Sequence, residues 1–318
     1  VWLGIVFLVA IIFRFYNFRE SIYFGFDEAR DAYTATEIYT KGDIKLMGPP
    51  ATGNIGLFHG PLYWYLIGPL YLLFNGSPEA LSAIFRAVNA CGVFLVFAAA
   101  KNFFNPQAGL IAALLYAVSY EESQYAMYVG NPALGVLTTL FIFWGASGIY
   151  KKNGKKELGL WTMFTAAAVA TQLNLMFAYC FITVAALLFL LRKQLKGVSK
   201  KTWLLGAFSV LMILSTYILT EVKYDFRSIK TAWTLVTGGF GIMSPGQSKY
   251  LLFWDKFLMM FHDNLGGWGN NKTVWGVIAA VVSLLVLIKA RKDKRYQILF
   301  LWMFSWVFLM FLGGHMAY

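Results

Sequence analysis

The apolar runs Val1–Phe13, Val93–Ala100, Gly135–Ile149, Val184–Leu191, Val274–Ile288 and Ile298–Leu312 constrain this chain more than any motif in it. Runs of this kind in one chain belong in lipid. Only 13% of residues are charged, against about a quarter in an ordinary soluble domain. Half that density cannot cover a water-facing surface, which excludes a soluble globular protein. Lipid offers backbone groups no hydrogen-bond partner, so the spans are helices. The expected fold class is an all-α polytopic membrane protein. No small-residue cleavage site follows Val1–Phe13, so it reads as a span and not as a removable signal peptide.

The placement of charge orients these spans. Lys101–Gln107, Lys151–Glu157, Arg192–Lys201 and Lys289–Arg295 hold 15 of the 27 basic residues and only two acids. By the positive-inside rule these segments are cytoplasmic. The remaining loops, within 19–79, 121–131 and 221–272, hold 10 basic and 13 acidic residues and face outward. The net charge of +12 therefore records orientation, and no nucleic-acid partner is expected.

Parity gives nine crossings, at about 1–18, 80–100, 107–120, 133–150, 158–173, 175–191, 203–220, 273–289 and 296–312. The whole of 1–318 forms one transmembrane domain, apparently lacking a C-terminal part. The pair spanning 158–191 is a tight hairpin turning near Gln172–Asn174. A stretch at about 61–75 does not fit the parity and is expected to be an in-plane or re-entrant helix on the outer face, started by Gly60-Pro61. Cys91 and Cys180 both lie in apolar segments and form no recognisable framework.

The acidic outer side carries the candidate chemistry. Phe24-Gly25-Phe26-Asp27-Glu28-Ala29-Arg30-Asp31 follows the first span directly. Ala29, Ala32, Tyr33, Thr36 and Tyr39 recur at helical spacing, giving an amphipathic helix over 27–40. Asp27 and Glu28 stand at its start, where the helix dipole favours negative charge; a capped, solvated helix end would explain the pair alone. His59-Gly60-Pro61-Leu62-Tyr63-Trp64-Tyr65 suits an interfacial aromatic anchor, with His59 either a plain interfacial histidine or a phosphate or hydroxyl partner. Arg86, inside the second crossing, either snorkels to the headgroups or meets an anion. Asn131-Pro132 reads as a helix start, with Asn131 as its cap. Gln172 and Asn174 sit at the hairpin turn, and Glu221 ends the segment Ser215–Glu221 and is placed on the same outer cavity. Nucleotide, zinc-protease and serine-hydrolase signatures are absent from the sequence. Asp27, Glu28 and His59 could in principle hold a divalent cation, but no metal or cofactor is firmly expected.

Together these residues resemble the GT-C membrane glycosyltransferases, in the family-39-like branch related to protein O-mannosyltransferases and aminoarabinose transferases. The resemblance runs through Arg14-Phe15-Tyr16, Phe26-Asp27-Glu28-Ala29, Gly48-Pro49-Pro50-Ala51, His59–Tyr65, Arg86 with Asn89, Tyr128–Pro132 and Gln172–Asn174, most of residues 1–225. It implies transfer of a sugar from a polyprenyl-phosphate carrier to an acceptor hydroxyl on a protein, glycan or lipid. The transfer would be inverting, at the extracytoplasmic face of the cytoplasmic membrane. It implies Asp27 as catalytic base and Glu28 as a site-shaping or assisting carboxylate. Arg30, His59, Tyr63, Arg86, Asn131, Gln172, Asn174 and Glu221 would contact donor phosphate or substrate. The chain departs from many relatives in carrying Asn131 in place of a second acid and Asn174 in place of histidine. The competing expectations are a transporter or flippase with Asp27 and Arg86 on its pathway, and an envelope-assembly scaffold.

Overall fold

A computed structural model describes residues 1–51, 56–238, 251, 254 and 272–305. Fifteen α-helices are described in these residues, and no β-strand. Five occupy the first 103: α1 (Trp2–Phe15), α2 (Phe26–Thr40), α3 (Leu62–Leu73), α4 (Pro78–Ala90) and α5 (Gly92–Phe103). Then come α6 (Pro106–Ala117), α7 (Tyr120–Met127), α8 (Asn131–Tyr150), α9 (Lys156–Leu173), a 3-10 turn at Leu175–Ala178 and α10 (Tyr179–Leu190). The remainder are α11 (Lys200–Ile213), α12 (Ser215–Lys223), α13 (Arg227–Gly238), α14 (Lys272–Ala290) and α15 (Lys294–Phe304).

A helix stands in each apolar stretch read from the sequence. The last expected span runs on to 312, and its part beyond 305 lies outside the described residues. The helix starts follow local rules. Ser77 accepts from Ala80 N at 3.2 Å with Pro78 in the first turn, and Asn105 accepts from Ala108 N at 2.8 Å before Pro106. Among the described residues, Pro78–Phe103 and Asn131–Tyr150 are each long and apolar enough to cross a bilayer, and the α11–α12 pair, bent by 49°, is apolar and long enough only if both helices count as one broken span. α1, at 14 residues, is about 21 Å long, short of a ~30 Å hydrocarbon core.

One start differs from its expectation. Gly130, not Asn131, occupies the cap position of α8, because the Asn131 side chain is drawn away to another helix. A second difference is α7. Its residues read as an external loop, yet Ser119 accepts from Glu122 N at 3.3 Å and starts a two-turn helix.

A close helix crossing joins α8 to α9 at two glycines. A Cβ on Gly145 would lie 2.6 Å from the Gly159 carbonyl, and one on Gly159 would lie 2.5 Å from the Gly145 carbonyl. Without side chains there, the two backbones touch, the usual way of joining helices where lipid supplies no hydrophobic drive. Around this crossing a core forms from Phe143, Ile149, Leu160, Met163, Val184 and Leu187, and Trp302 of α15 stacks on Phe143 at 4.0 Å. A second core lies under α2 and α3, built from Ala35, Ile38, Tyr63, Trp64, Ile67, Leu81, Phe85 and Leu173. It forms the floor on which the candidate site rests; burying each large side chain there is worth about 1.5–3 kcal/mol.

Two arginines inside helices make polar joints. Arg14, fully buried in α1, donates from Nε to Asn89 Oδ1 at 2.9 Å and from Nη2 to the Tyr116 carbonyl at 3.0 Å. It also bonds the Ala117 carbonyl through Nη1. Asn89 in turn donates to Glu122 Oε2 at 3.1 Å, so a buried acid on α7 is linked to the cation on α1 through one amide. Burial pushes the Glu122 carboxyl above its usual range, while the Asn89 bond and the Arg14 charge hold it down.

Candidate functional site

The site begins at the N-terminus of α2. Gly25 caps the helix, and its backbone N–H donates to Glu28 Oε2 at 2.8 Å, the reciprocal half of a capping box. Glu28 is consequently buried, with the Tyr128 phenol close by. Burial and that carboxylate push the Tyr128 phenol above its ordinary range. Asp27, one position earlier, has no such anchor, and its side chain is 67% exposed.

One turn along the same face stand Arg30 and Asp31. Arg30 Nη1 meets Asp27 Oδ1 at 2.6 Å, and its Nε and Nη2 both donate to Asp31 Oδ1, at 3.0 and 2.9 Å. The guanidinium thus bridges an open carboxylate and a closed one, for the Asp31 side chain is only 6% exposed. Burial raises the Asp31 carboxyl above its ordinary range, and Arg30 opposes the shift. The Trp64 indole N–H faces Asp31 at the margin of hydrogen-bond geometry.

His59 enters from a short antiparallel hairpin. Gly48 N donates to the His59 carbonyl at 2.9 Å, His59 N to the Pro49 carbonyl at 2.9 Å, and Ala51 N to the Leu57 carbonyl at 2.8 Å. The hairpin packs against the end of α9 through Gly60, where any Cβ would collide with Gln172 Oε1. There the Leu175 N–H donates to His59 Nδ1 at 3.0 Å. An imidazole that accepts at Nδ1 carries its proton on Nε2 and is neutral. Burial, helped by the nearby Arg30 charge, pushes its pKa down to about 4. His59 is therefore a fixed hydrogen-bond donor and not a cation.

The other sequence candidates are turned toward the scaffold. Tyr63 donates to the Val129 carbonyl at 3.1 Å, and Asn131 to the Leu173 carbonyl at 2.7 Å. Gln172 donates to the Ile213 carbonyl at 2.6 Å and to Thr216 Oγ1 at 2.8 Å, while Asn174 accepts from Met176 N at 2.9 Å and starts the 3-10 turn. Asn131 and Gln172 thus brace the end of α9 to α8, α11 and α12, while Tyr63 joins α3 to the segment before α8 and Asn174 shapes the turn after α9. Glu221 accepts from Ile229 N at 3.3 Å and ties α12 to α13.

Arg86 neither snorkels nor faces an open anion site. Its Nη1 donates to the Arg14 carbonyl at 2.7 Å, Nη2 to Ser21 Oγ at 3.0 Å and Nε to Ser82 Oγ at 3.1 Å, with the ring of Phe18 4.7 Å away. The last turn of α1 leaves carbonyls without intrahelical partners, and a cation satisfies them better than any neutral group. Arg86 thus pins the end of α1 and the segment leading to Asp27, and none of its hydrogen bonds goes to Asp27, Arg30 or His59.

Asp31 and Glu122 are the buried acids that sequence reasoning passed over. Asp31 stands four residues after Asp27 on a predicted helix, and that spacing was the available signal. Among the described residues, no three His, Cys, Asp or Glu side chains are gathered as metal ligands. Asp27, Glu28 and His59 are not such a set, since Glu28 is committed to Gly25, and His59 Nδ1 to Leu175.

An apolar helical bundle of this kind is that of an integral membrane protein, and ionisable side chains gather at the start of α2. The family model for dolichyl-phosphate-mannose-protein mannosyltransferases matches residues 58–219, half of the chain, and the chain belongs to this family. It is a membrane glycosyltransferase of the GT-C type. The match spans His59, α3, the Arg86 pin and the braced end of α9, and begins after α2. Comparisons with curated proteins and with solved structures give no match.

Proposed function

We propose that this chain transfers a sugar from a polyprenyl-phosphate donor to an acceptor hydroxyl at the extracytoplasmic face of the cytoplasmic membrane, with inversion at the anomeric carbon. The observation that carries this reading is the Asp27–Arg30 pair, exposed at the start of α2 within about a dozen residues of α1 and next to a neutral histidine. The family supports a sugar linked to a lipid phosphate as the donor, and the basic segments Lys151–Glu157 and Arg192–Lys201 support an outward orientation for the opposite, acidic end.

In this mechanism the acceptor hydroxyl loses its proton to an Asp27 carboxylate oxygen as its oxygen bonds the anomeric carbon. The bond from that carbon to the phosphate oxygen breaks, and polyprenyl phosphate leaves with the electron pair. Arg30 neutralises the charge that develops on the phosphate, and His59 donates its Nε2 proton to a phosphate or sugar oxygen. Glu28 shapes the site by closing the cap of α2. Nine crossings, with α3 lying along the outer face, complete the arrangement.

The test is transfer by purified full-length protein supplied with radiolabelled polyprenyl-phosphate sugars and candidate protein, glycan and lipid acceptors. Asp27→Asn should lower turnover by at least a hundredfold with donor binding retained, within the range that general-base catalysis contributes. Unchanged transfer by this variant defeats the assignment of Asp27.

A further inference from the structure

Arg30 has five N–H donors and is grasped unequally. Its Nε and Nη2 edge lies side-on against one oxygen of Asp31, two contacts to a carboxylate almost closed off from solvent. Its Nη1 makes a single contact, to the exposed Asp27. A buried carboxylate cannot swing to follow a partner, whereas a carboxylate on the open end of a helix can rotate freely about its own bonds. The groups around Asp31 explain its fixity. Asp27, Glu28 and Arg30 flank it on α2, Tyr63, Trp64 and Tyr71 cover it from α3, and Tyr128 and the neutral His59 stand nearby.

We propose that Asp31 is a positioning residue that holds the Nε–Nη2 edge of Arg30, so that Nη1 is the exchangeable contact, passing from Asp27 to the donor phosphate when donor binds. The inference rests on the reading of Asp27 as base and Arg30 as the phosphate partner, and adds the device that couples them. An arginine free to rotate would close on Asp27 with both Nη groups as a bidentate pair, occupying the carboxylate the acceptor needs. Held by Asp31, it offers Asp27 one bond only. A phosphate oxygen arriving beside Nη1 takes over that bond, and Asp27 turns to the acceptor hydroxyl. Donor binding thereby releases the base, and a site without donor keeps it engaged.

The distinguishing measurement is a double-mutant cycle on the binding of a polyprenyl monophosphate to full-length protein in nanodiscs, beside the KM and kcat of transfer. Arg30→Gln and Asp31→Asn should each weaken phosphate binding about tenfold, and the double variant should bind no worse than Arg30→Gln, because Asp31 acts only through Arg30. Losses that multiply in the double variant overturn the proposal, showing that Asp31 merely joins α2 to α3. If Asp31→Asn does not fold, Arg30→Lys decides the matter. A lysine keeps the charge but cannot be held edge-on by two N–H groups, so phosphate binding should fall as in Arg30→Gln, and wild-type binding by Arg30→Lys overturns the proposal. The outcomes separate the readings. Full transfer by Asp27→Asn removes the base assignment, and normal phosphate binding by Arg30→Gln removes the phosphate partner. Weak binding by Arg30→Gln beside normal binding by a folded Asp31→Asn removes only the coupling inferred here.

Discussion

Replacing Arg86 by methionine separates a scaffold role from a substrate role in one experiment. The guanidinium makes three well-formed hydrogen bonds, to the Arg14 carbonyl, Ser21 Oγ and Ser82 Oγ, at 2.7, 3.0 and 3.1 Å. A hydrogen bond to a charged group is worth about 1.5–3 kcal/mol net, giving roughly 4–9 kcal/mol for the three. Against this, methionine relieves the cost of keeping a cation out of water, which is several kcal/mol. The balance is a loss of about 3 kcal/mol, most of it from the α1 carbonyl left without a donor. In a protein of this size that corresponds to a fall of roughly 6 °C in apparent melting temperature. The assay is a thermal melt in detergent, followed by steady-state kinetics well below the transition. Arg86→Met should melt early and turn over more slowly, because the turn from Phe18 to Ser21 that leads to α2 is loosened, while its KM for the lipid-linked donor stays within about threefold of wild type. An unchanged melt with a donor KM raised tenfold refutes the reasoning and places the guanidinium on the phosphate.

His59 has a free pKa of 6.5 and, folded, one of about 4, so its neutral form is favoured by folding. The contribution is complete above pH 6.5 and lost as pH falls toward 4, at most about 3 kcal/mol, so that a His59→Gln protein should lose less stability on acidification over that window than wild type does; an imidazole resonance titrating near 6.5 in the folded protein argues against the Nδ1 contact. At the α8–α9 crossing, Gly145→Leu should cost about 1–3 kcal/mol or more through backbone overlap, whereas Gly148→Ala, whose new Cβ would come no nearer than 3.7 Å to any neighbouring group, should be neutral; comparable yields of monodisperse protein from the two variants would contradict the crossing.

Hydropathy and charge made the helices legible because lipid enforces both in the local sequence. α2 and its acidic start were equally local, since a glycine cap, a glutamate three residues on and a helical repeat lie within one short segment. The destinations of long polar side chains were not. The partners of Arg86 in and after α1 lie 65 to 72 residues away, and Asn131 leaves its cap position for a carbonyl 42 residues on. Tyr63, Asn131, Gln172 and Asn174 are polar at or beside helix ends, as substrate ligands would be, but the same pattern serves braces that satisfy backbone groups. Only the positions of neighbouring helices separate the two. Asp31 was hidden for the opposite reason: a charged residue on a polar helix face reads as solvated until α3 is laid over it.

Arg14 also sets an order of events during synthesis. The carbonyls that receive its guanidinium belong to Tyr116 and Ala117, the latter 103 residues further along the chain. At about 5–20 residues per second they emerge roughly 5–20 seconds after Arg14 itself. Until α4 brings Asn89 and α6 brings the two carbonyls, α1 carries a cation short of its partners, a costly group to leave in lipid. α1 is therefore among the helices that must wait to settle, at the membrane surface or in the shelter of the insertion machinery, and the arrival of α6 completes its set of partners.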